Sequence, residues 1–159
     1  MSTVLTLENA VNLIWREADM LDRRDYDAWL DLWHDDGLYI VPIDQSADDY
    51  ADVLNYAYDD AEMRRKRVVR LKSAFSMSAL TAAETVRTVS RFVTVEADSE
   101  AMTLRAAQQL VAYRRDQSRT IAANLDVKIV STPGGLKLAR KVVRLVNSED
   151  AVSSMGYLL

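Results

Sequence analysis

His34 is the one histidine of a 159-residue chain that has no cysteine. Those two counts decide most of the chemistry open to it. A mononuclear non-haem iron triad needs two histidines and a carboxylate, and a Rieske cluster needs two cysteines and two histidines, so this chain alone can build neither. Disulfides, thiolate metal sites and thiol nucleophiles are excluded on the same ground. No HExxH, CxxC, GxGxxG, Walker-type loop or GxSxG occurs, which removes the parts needed for zinc hydrolysis, loop-based nucleotide binding and nucleophile-elbow catalysis. What remains is proton transfer by carboxylates, phenols and one imidazole. The candidate set is Asp22, His34 and Tyr39, in a pocket walled by Trp15, Trp29, Trp33 and Tyr39 itself. Each residue also has a plainer, structural reading. His34, beside Asp35 and Asp36, suits a helix end or turn; Asp19 and Asp22 suit the surface near a helix terminus; the tryptophans suit the core, where large rings dominate burial.

The elements that must position these residues fall into two groups. Thr6 is a candidate N-cap for a first helix whose apolar positions Leu7, Ala10, Val11, Ile14, Ala18 and Leu21 recur at helical spacing. A second short helix is expected from Asp25 to Trp33, with Trp29 and Trp33 sharing a face. Asp35-Asp36-Gly37 then reads as a turn, Leu38 to Pro42 as a strand, Asp44 to Asp60 as an acidic, tyrosine-bearing excursion, and Ala61 to Val69 as a short helix. From Val86 the pattern changes to strand-like alternation: Val86–Glu96, Met102–Tyr113, Thr120–Val130 and Leu136–Val146. Hairpin connections are expected at 97–100, 114–118 and 132–135. Helices followed by a long alternating sheet make an α+β fold, a single domain over 1–159 in which 1–72 is mainly helical with one early strand, 86–146 supplies the long strands and 147–159 is a docking tail. The apolar ending Tyr157, Leu158 and Leu159 is expected to dock on its own domain or on a neighbouring subunit.

Charge is unevenly spread. Residues 1–62 carry 16 acids and 3 bases, residues 63–159 carry 8 acids and 17 bases, and the two parts stand at -13 and +9. The simplest outcome is mutual neutralisation inside one domain; the sharper one is complementary surfaces for assembly. An acidic total argues against nucleic acid as a partner. Arginine outnumbers lysine 15 to 5, a bias that suits protein interfaces. The basic stretch Arg64 to Lys72 reads as a solvated or subunit-facing element rather than a phosphate patch. No apolar run approaches membrane-spanning length, no basic leader is evident, and the lack of cysteine suits a reducing cytoplasm.

Taken in order, several stretches resemble the small (β) subunit of aromatic-ring-hydroxylating dioxygenases: Glu17 to Leu30, Asp36-Gly37-Leu38-Tyr39-Ile40-Val41-Pro42, Tyr58-Asp59-Asp60, Arg67-Val68-Val69-Arg70-Leu71, Leu138 to Leu145, and the apolar tail. The resemblance extends over almost the whole chain. It implies a cone-shaped fold of the nuclear-transport-factor-2-like or SnoaL-like type, with N-terminal helices packed on a strongly curved antiparallel or mixed sheet. It also implies a large (α) partner subunit carrying the Rieske iron–sulfur cluster and the catalytic mononuclear iron, trimeric self-association of the small subunit, no cofactor in this chain, and a structural rather than catalytic role. Tyr58, Asp59, Asp60, Arg67, Arg70, Arg87, Arg140, Tyr157, Leu158 and Leu159 are the residues expected at subunit interfaces. The sequence departs from the family pattern at Ser78–Arg87 and at Ser118–Asn124, which bears on partner recognition more than on the fold. The alternative is a stand-alone SnoaL-like dehydratase or isomerase using Asp22, His34 and Tyr39; a cofactor-free binding module is a third possibility. Fold alone does not separate these functions.

Overall fold

A computed structural model describes residues 3–44, 46–78, 82–146 and 157–159. Helix α1 (Leu7–Asp22) starts where the Thr6 side chain accepts a hydrogen bond from the Asn9 N–H at 3.1 Å. Its buried face is Ala10, Leu13, Ile14, Glu17, Ala18 and Leu21, the i, i+3, i+4, i+7 stripe of an amphipathic helix. Arg24, at a φ of 58°, breaks the helix. Asp25 then caps α2 (Tyr26–Asp31) by accepting from the Ala28 N–H at 3.4 Å.

The chain leaves α2 sooner than its sequence suggests. Strand β1 (Trp33–Pro42) contains the expected turn residues Asp35-Asp36-Gly37, which form an irregular stretch within the strand instead of a connection before it. Trp33 pairs with Leu138, and the regular register resumes only at Leu38 opposite Arg140. Turn chemistry is thus used to bend a strand. Gly37 is required at this point, because a Cβ would lie 2.9 Å from the main-chain oxygens of both His34 and Leu138. The segment after β1 also holds more structure than expected. An edge strand, β2 (Asn55–Asp59), pairs antiparallel with β1, and α3 runs over Ala61–Ser78, twice the expected length. Asp60 caps it by accepting from the Met63 N–H at 2.9 Å. No glycine or proline follows Val69 within these residues, so no residue stops the helix early.

The long strands are β3 (Glu84–Ala97), β4 (Ala101–Arg114), β5 (Gln117–Thr132) and β6 (Gly135–Leu145). The sheet order is β2-β1-β6-β5-β4-β3, with β1 parallel to β6 and the other neighbours antiparallel. Alternation sends Leu104, Ala106, Leu110, Ile121, Leu125, Val127 and Ile129 into one core beneath the helices. The Trp15 indole ties α1 to β3 by donating to the Val89 carbonyl at 2.9 Å. A bulge between Ser90 and Val93, with Arg91 at a φ of 57°, bends β3 over α1. On the opposite face, Tyr50 from the loop after β1 covers Ile40 and Val142. Arg144 holds that loop through the Ala47 carbonyl at 3.0 Å and the Tyr50 hydroxyl, while pairing with Asp126 at 2.9 Å.

Part of the uneven charge pairs within the chain. The pairs Glu17–Lys141, Asp22–Arg87, Asp27–Lys72, Asp59–Arg67 and Glu62–Lys66 each join an acid from the first 62 residues to a base from the remainder. No helix among the described residues is long and apolar enough to cross a membrane.

The β4–β5 hairpin turns through Arg115 and Asp116, with φ of 50° and 61°, where side chains with a Cβ are strained. Replacing the pair by Asn-Gly, the residues this two-residue turn favours, should raise stability by about 1 kcal/mol in urea denaturation, even though the exposed Tyr113–Asp116 hydrogen bond is lost.

Candidate functional site

Glu17 and Lys141 meet between α1 and the sheet, their charged atoms 2.6 Å apart and their side chains 4% and 1% exposed. Both occupy core positions in their elements. Glu17 lies on the apolar stripe of α1, and Lys141 is in phase with Val143 and Leu145 on the inward side of β6. The Trp29 indole donates to the second Glu17 oxygen at 3.3 Å. The parallel register sets Tyr39 beside Lys141. Burial pushes the Tyr39 phenol up to about 12 and lowers the Lys141 ammonium from its ordinary value, although Glu17 works to hold that ammonium charged.

The last residues of the chain complete this centre. Leu158 and Leu159 are 3% and 4% exposed. Lys141 donates to the Leu159 main-chain oxygen at 3.0 Å, and the Tyr39 hydroxyl donates to the same oxygen at 3.4 Å while accepting from the Leu159 N–H at 3.1 Å. Arg87 donates to the Leu158 carbonyl and to Asp22, whose second oxygen accepts the Arg87 N–H at 2.8 Å. Thr85 adds a hydroxyl to Asp22 at 2.9 Å.

The residues proposed for proton transfer are therefore committed to different partners. Asp22 is engaged by Arg87 and Thr85, and Tyr39 by Leu159. His34 lies on the irregular part of β1, where its Nδ1 accepts from the Asp36 N–H at 3.2 Å. It faces an open depression of about 470 Å³ together with Trp33, Asp31, Asp35, Arg64 and Lys137. Trp29, Trp33 and Tyr39 do form one cluster of edge-to-face rings, with centroids 5.5–6.2 Å apart. Trp15 does not join it; half exposed, it packs its ring on Phe92.

The expected interface residues also separate. Tyr58, Arg70 and Arg140 are exposed, and Tyr157 is partly so. Asp59 and Arg67 form their own pair at 2.5 Å, and Asp60 caps α3. Asp59, Arg87, Leu158 and Leu159 are buried within the chain. Of the departing segment Ser78–Arg87, residues 79–81 lie outside the described residues, as do 147–156 of the expected docking tail.

Arg64 escaped the sequence reading, where it was one of a row of basic residues. It is 2% exposed, with its guanidinium carbon 4.3 Å from the centre of the Trp33 ring. It donates to the carbonyls of Gly37, Asp59 (3.2 Å) and His34 (3.5 Å), tying the irregular stretch of β1 to the end of β2. Burial lowers its pKa to about 10. Glu17 and Lys141 were missed as well, though a signal existed: each is a lone charge in phase with core positions of its element. No comparable signal marks Arg64, because its role depends on an irregularity in a strand distant in sequence.

The donors fit no iron group. One histidine and no cysteine are available, and no cluster of three or more His, Cys, Asp or Glu suited to a metal ion occurs among the described residues.

The profile described as "Ring hydroxylating beta subunit" matches residues 16–149. The fold is shared with the β subunit of benzoate 1,2-dioxygenase from Burkholderia mallei, at 22% identity and a TM-score of 0.82, covering 99% of this chain and 100% of that one. A naphthalene 1,2-dioxygenase with indole bound in its active site matches at 19% identity and a TM-score of 0.74, covering 95% and 82%. A nuclear-transport-factor-2-like protein with a cystatin-like fold from Novosphingobium aromaticivorans matches at 15% and 0.62, covering 86% and 79%. No curated protein sequence matches this one.

Two measurements probe the centre. Glu17→Gln or Lys141→Met should each lower unfolding free energy by about 3–5 kcal/mol, because either leaves a buried polar group without its partner. The double variant Glu17→Leu/Lys141→Met should lose much less than the sum, a coupling readable from urea denaturation. Tyr39 gives a pH test. Its folded pKa of about 12 lies above the ordinary value of 10, so its contribution is fully present below pH 10 and lost as pH rises toward 12. Over that window the parent should lose roughly 2–3 kcal/mol more than Tyr39→Phe. Lys141, lowered by burial, has the opposite slope but is present in both proteins.

Proposed function

This chain belongs to the ring-hydroxylating β-subunit family, and from that premise we propose that it is the structural, non-catalytic subunit of a multicomponent aromatic-ring-hydroxylating dioxygenase. In that role it scaffolds a large subunit for the degradation of aromatic compounds. The Rieske cluster and the mononuclear iron belong to that large partner, whose reaction is oxidoreductive, and the compartment implied is the cytoplasm. The observation that carries the reading is the filled interior. In this chain the space between helices and sheet is taken by the Glu17–Lys141 pair and by Leu158 and Leu159, with Lys141, the Tyr39 hydroxyl and the Leu159 main chain hydrogen-bonded to one another.

Scaffolding is then a matter of the outside. The exposed side chains of Tyr58, Arg70 and Arg140 are the positions assigned to contacts with the large subunit or with further copies of the small one, as in a trimer. Planar guanidinium groups suit such contacts because they pair bidentately and tolerate partial desolvation. Two strands and a helix serve this purpose well, since interface residues on regular elements hold their spacing better than residues on loops.

Co-expression with a large-subunit gene encoding the Rieske Cys-x-His and Cys-x-x-His pairs tests the proposal. The two chains should co-purify as a stable complex, and Arg70→Glu/Arg140→Glu should weaken it. A well-folded small subunit that never associates would overturn the assignment. His34→Ala in the assembled complex should leave turnover unchanged within about twofold, less than about 0.5 kcal/mol in the barrier. Abolished turnover with the complex intact would mean that this chain takes part in the chemistry.

A further inference from the structure

We infer that the interior of the fold is a binding site for a short apolar peptide segment, and that its occupant in this chain is the chain's own Tyr157-Leu158-Leu159. The inference goes beyond the scaffolding role and does not depend on it. The Tyr157–Leu159 segment is held through its main chain as well as through its side chains, as a receptor holds a peptide. Arg87 on β3 donates to the Leu158 carbonyl, Lys141 on β6 donates to the Leu159 oxygen at 3.0 Å, and Tyr39 on β1 exchanges hydrogen bonds with the Leu159 N–H at 3.1 Å and oxygen at 3.4 Å. Three separate strands thus converge on the single Leu158–Leu159 peptide unit and the Leu159 main-chain oxygen, while both leucine side chains are buried in the main core.

Charge decides the ligand class. Lys141 is matched by Glu17 and Arg87 by Asp22, so each cation in the site is already neutralised by its own acid. A pocket of paired charges and hydrogen-bonding groups suits main-chain oxygens and an N–H carried with apolar side chains. The site also retains unused capacity, because Arg87 Nε is buried with no hydrogen-bond partner among the described residues. Withdrawing the tail would leave the Arg87 and Tyr39 donors unsatisfied as well, a state that a peptide presenting the same main-chain groups would relieve.

The test uses the chain ended at Gly156 and the probe acetyl-Tyr-Leu-Leu. Removing three residues should lower the Tm by about 5–15 °C, and the probe at millimolar concentration should recover at least half of that loss. The intact chain should not respond, its site being occupied, and acetyl-Tyr-Asp-Asp should stabilise neither protein. An unchanged Tm after truncation, or a folded truncated chain that ignores the probe, would overturn the inference. Should the truncated chain fail to fold, Leu159→Ala decides. It keeps the main-chain hydrogen bonds and loses only side-chain packing, so its tail is more easily displaced: acetyl-Tyr-Leu-Leu should raise its Tm above that of the variant alone, and no shift overturns the proposal.

Discussion

A charge pair taken out of water is tolerable only when both members are present and their remaining hydrogen-bonding capacity is met. The Glu17–Lys141 pair imposes that condition on this fold. Meeting it fixes the depth and rotation of α1, since Glu17 must face the sheet, and the register of β6, since Lys141 must face α1. It also recruits Trp29 to the second carboxylate oxygen and the Leu159 main chain to the ammonium. An apolar pair of similar volume would pack without those demands. What the ionic pair adds is uniqueness of arrangement, because a small rotation of the helix would strand a charge, whereas a small rotation of leucine against leucine strands nothing.

Much of this architecture is visible in the sequence. Helix α1 with its Thr6 cap and the four long strands with their hairpins follow from periodicity and turn chemistry. The failures have physical causes. Asp35-Asp36-Gly37 has turn composition, and it does bend the chain, but the bend sits inside β1 because the parallel partner β6 continues past it. Strand β2 was hidden because an edge strand of five residues needs little apolar character. The candidate site was less legible than the fold. Asp22, His34 and Tyr39 were grouped by chemical type, yet which groups meet depends on pairing between strands far apart in sequence. Tyr39 meets Lys141 and the tail, not His34. The residues that organise the interior were charges set within apolar patterns, and these are easily passed over when carboxylates and imidazoles are sought as catalysts.

Helices on a curved sheet form a container, and what such a container does depends on its filling. Here the filling comes from the chain, with opposite charges drawn from its acidic beginning and basic remainder. The interior thereby becomes a source of rigidity. On the far face of the sheet the loop after β1 is fastened by Arg144 to Tyr50 and Ala47, so stiffness extends to both sides of the central strands.

The parallel pairing of β1 with β6 also has a kinetic consequence. Every other neighbouring pair of strands is antiparallel, and the long ones follow one another through tight hairpins, so they can zip together as the chain doubles back. β1 must instead wait for the strand farthest from it in sequence, and Glu17 for a partner 124 residues away. Closing so long a loop is entropically unfavourable until the contacts it permits have formed. The β3–β6 meander is therefore the natural early nucleus, and docking of β1, β2 and the helices the late step. Until that step Trp29, Trp33 and Tyr39 have no sheet to pack on, which makes the N-terminal third the part of a nascent chain most exposed to aggregation.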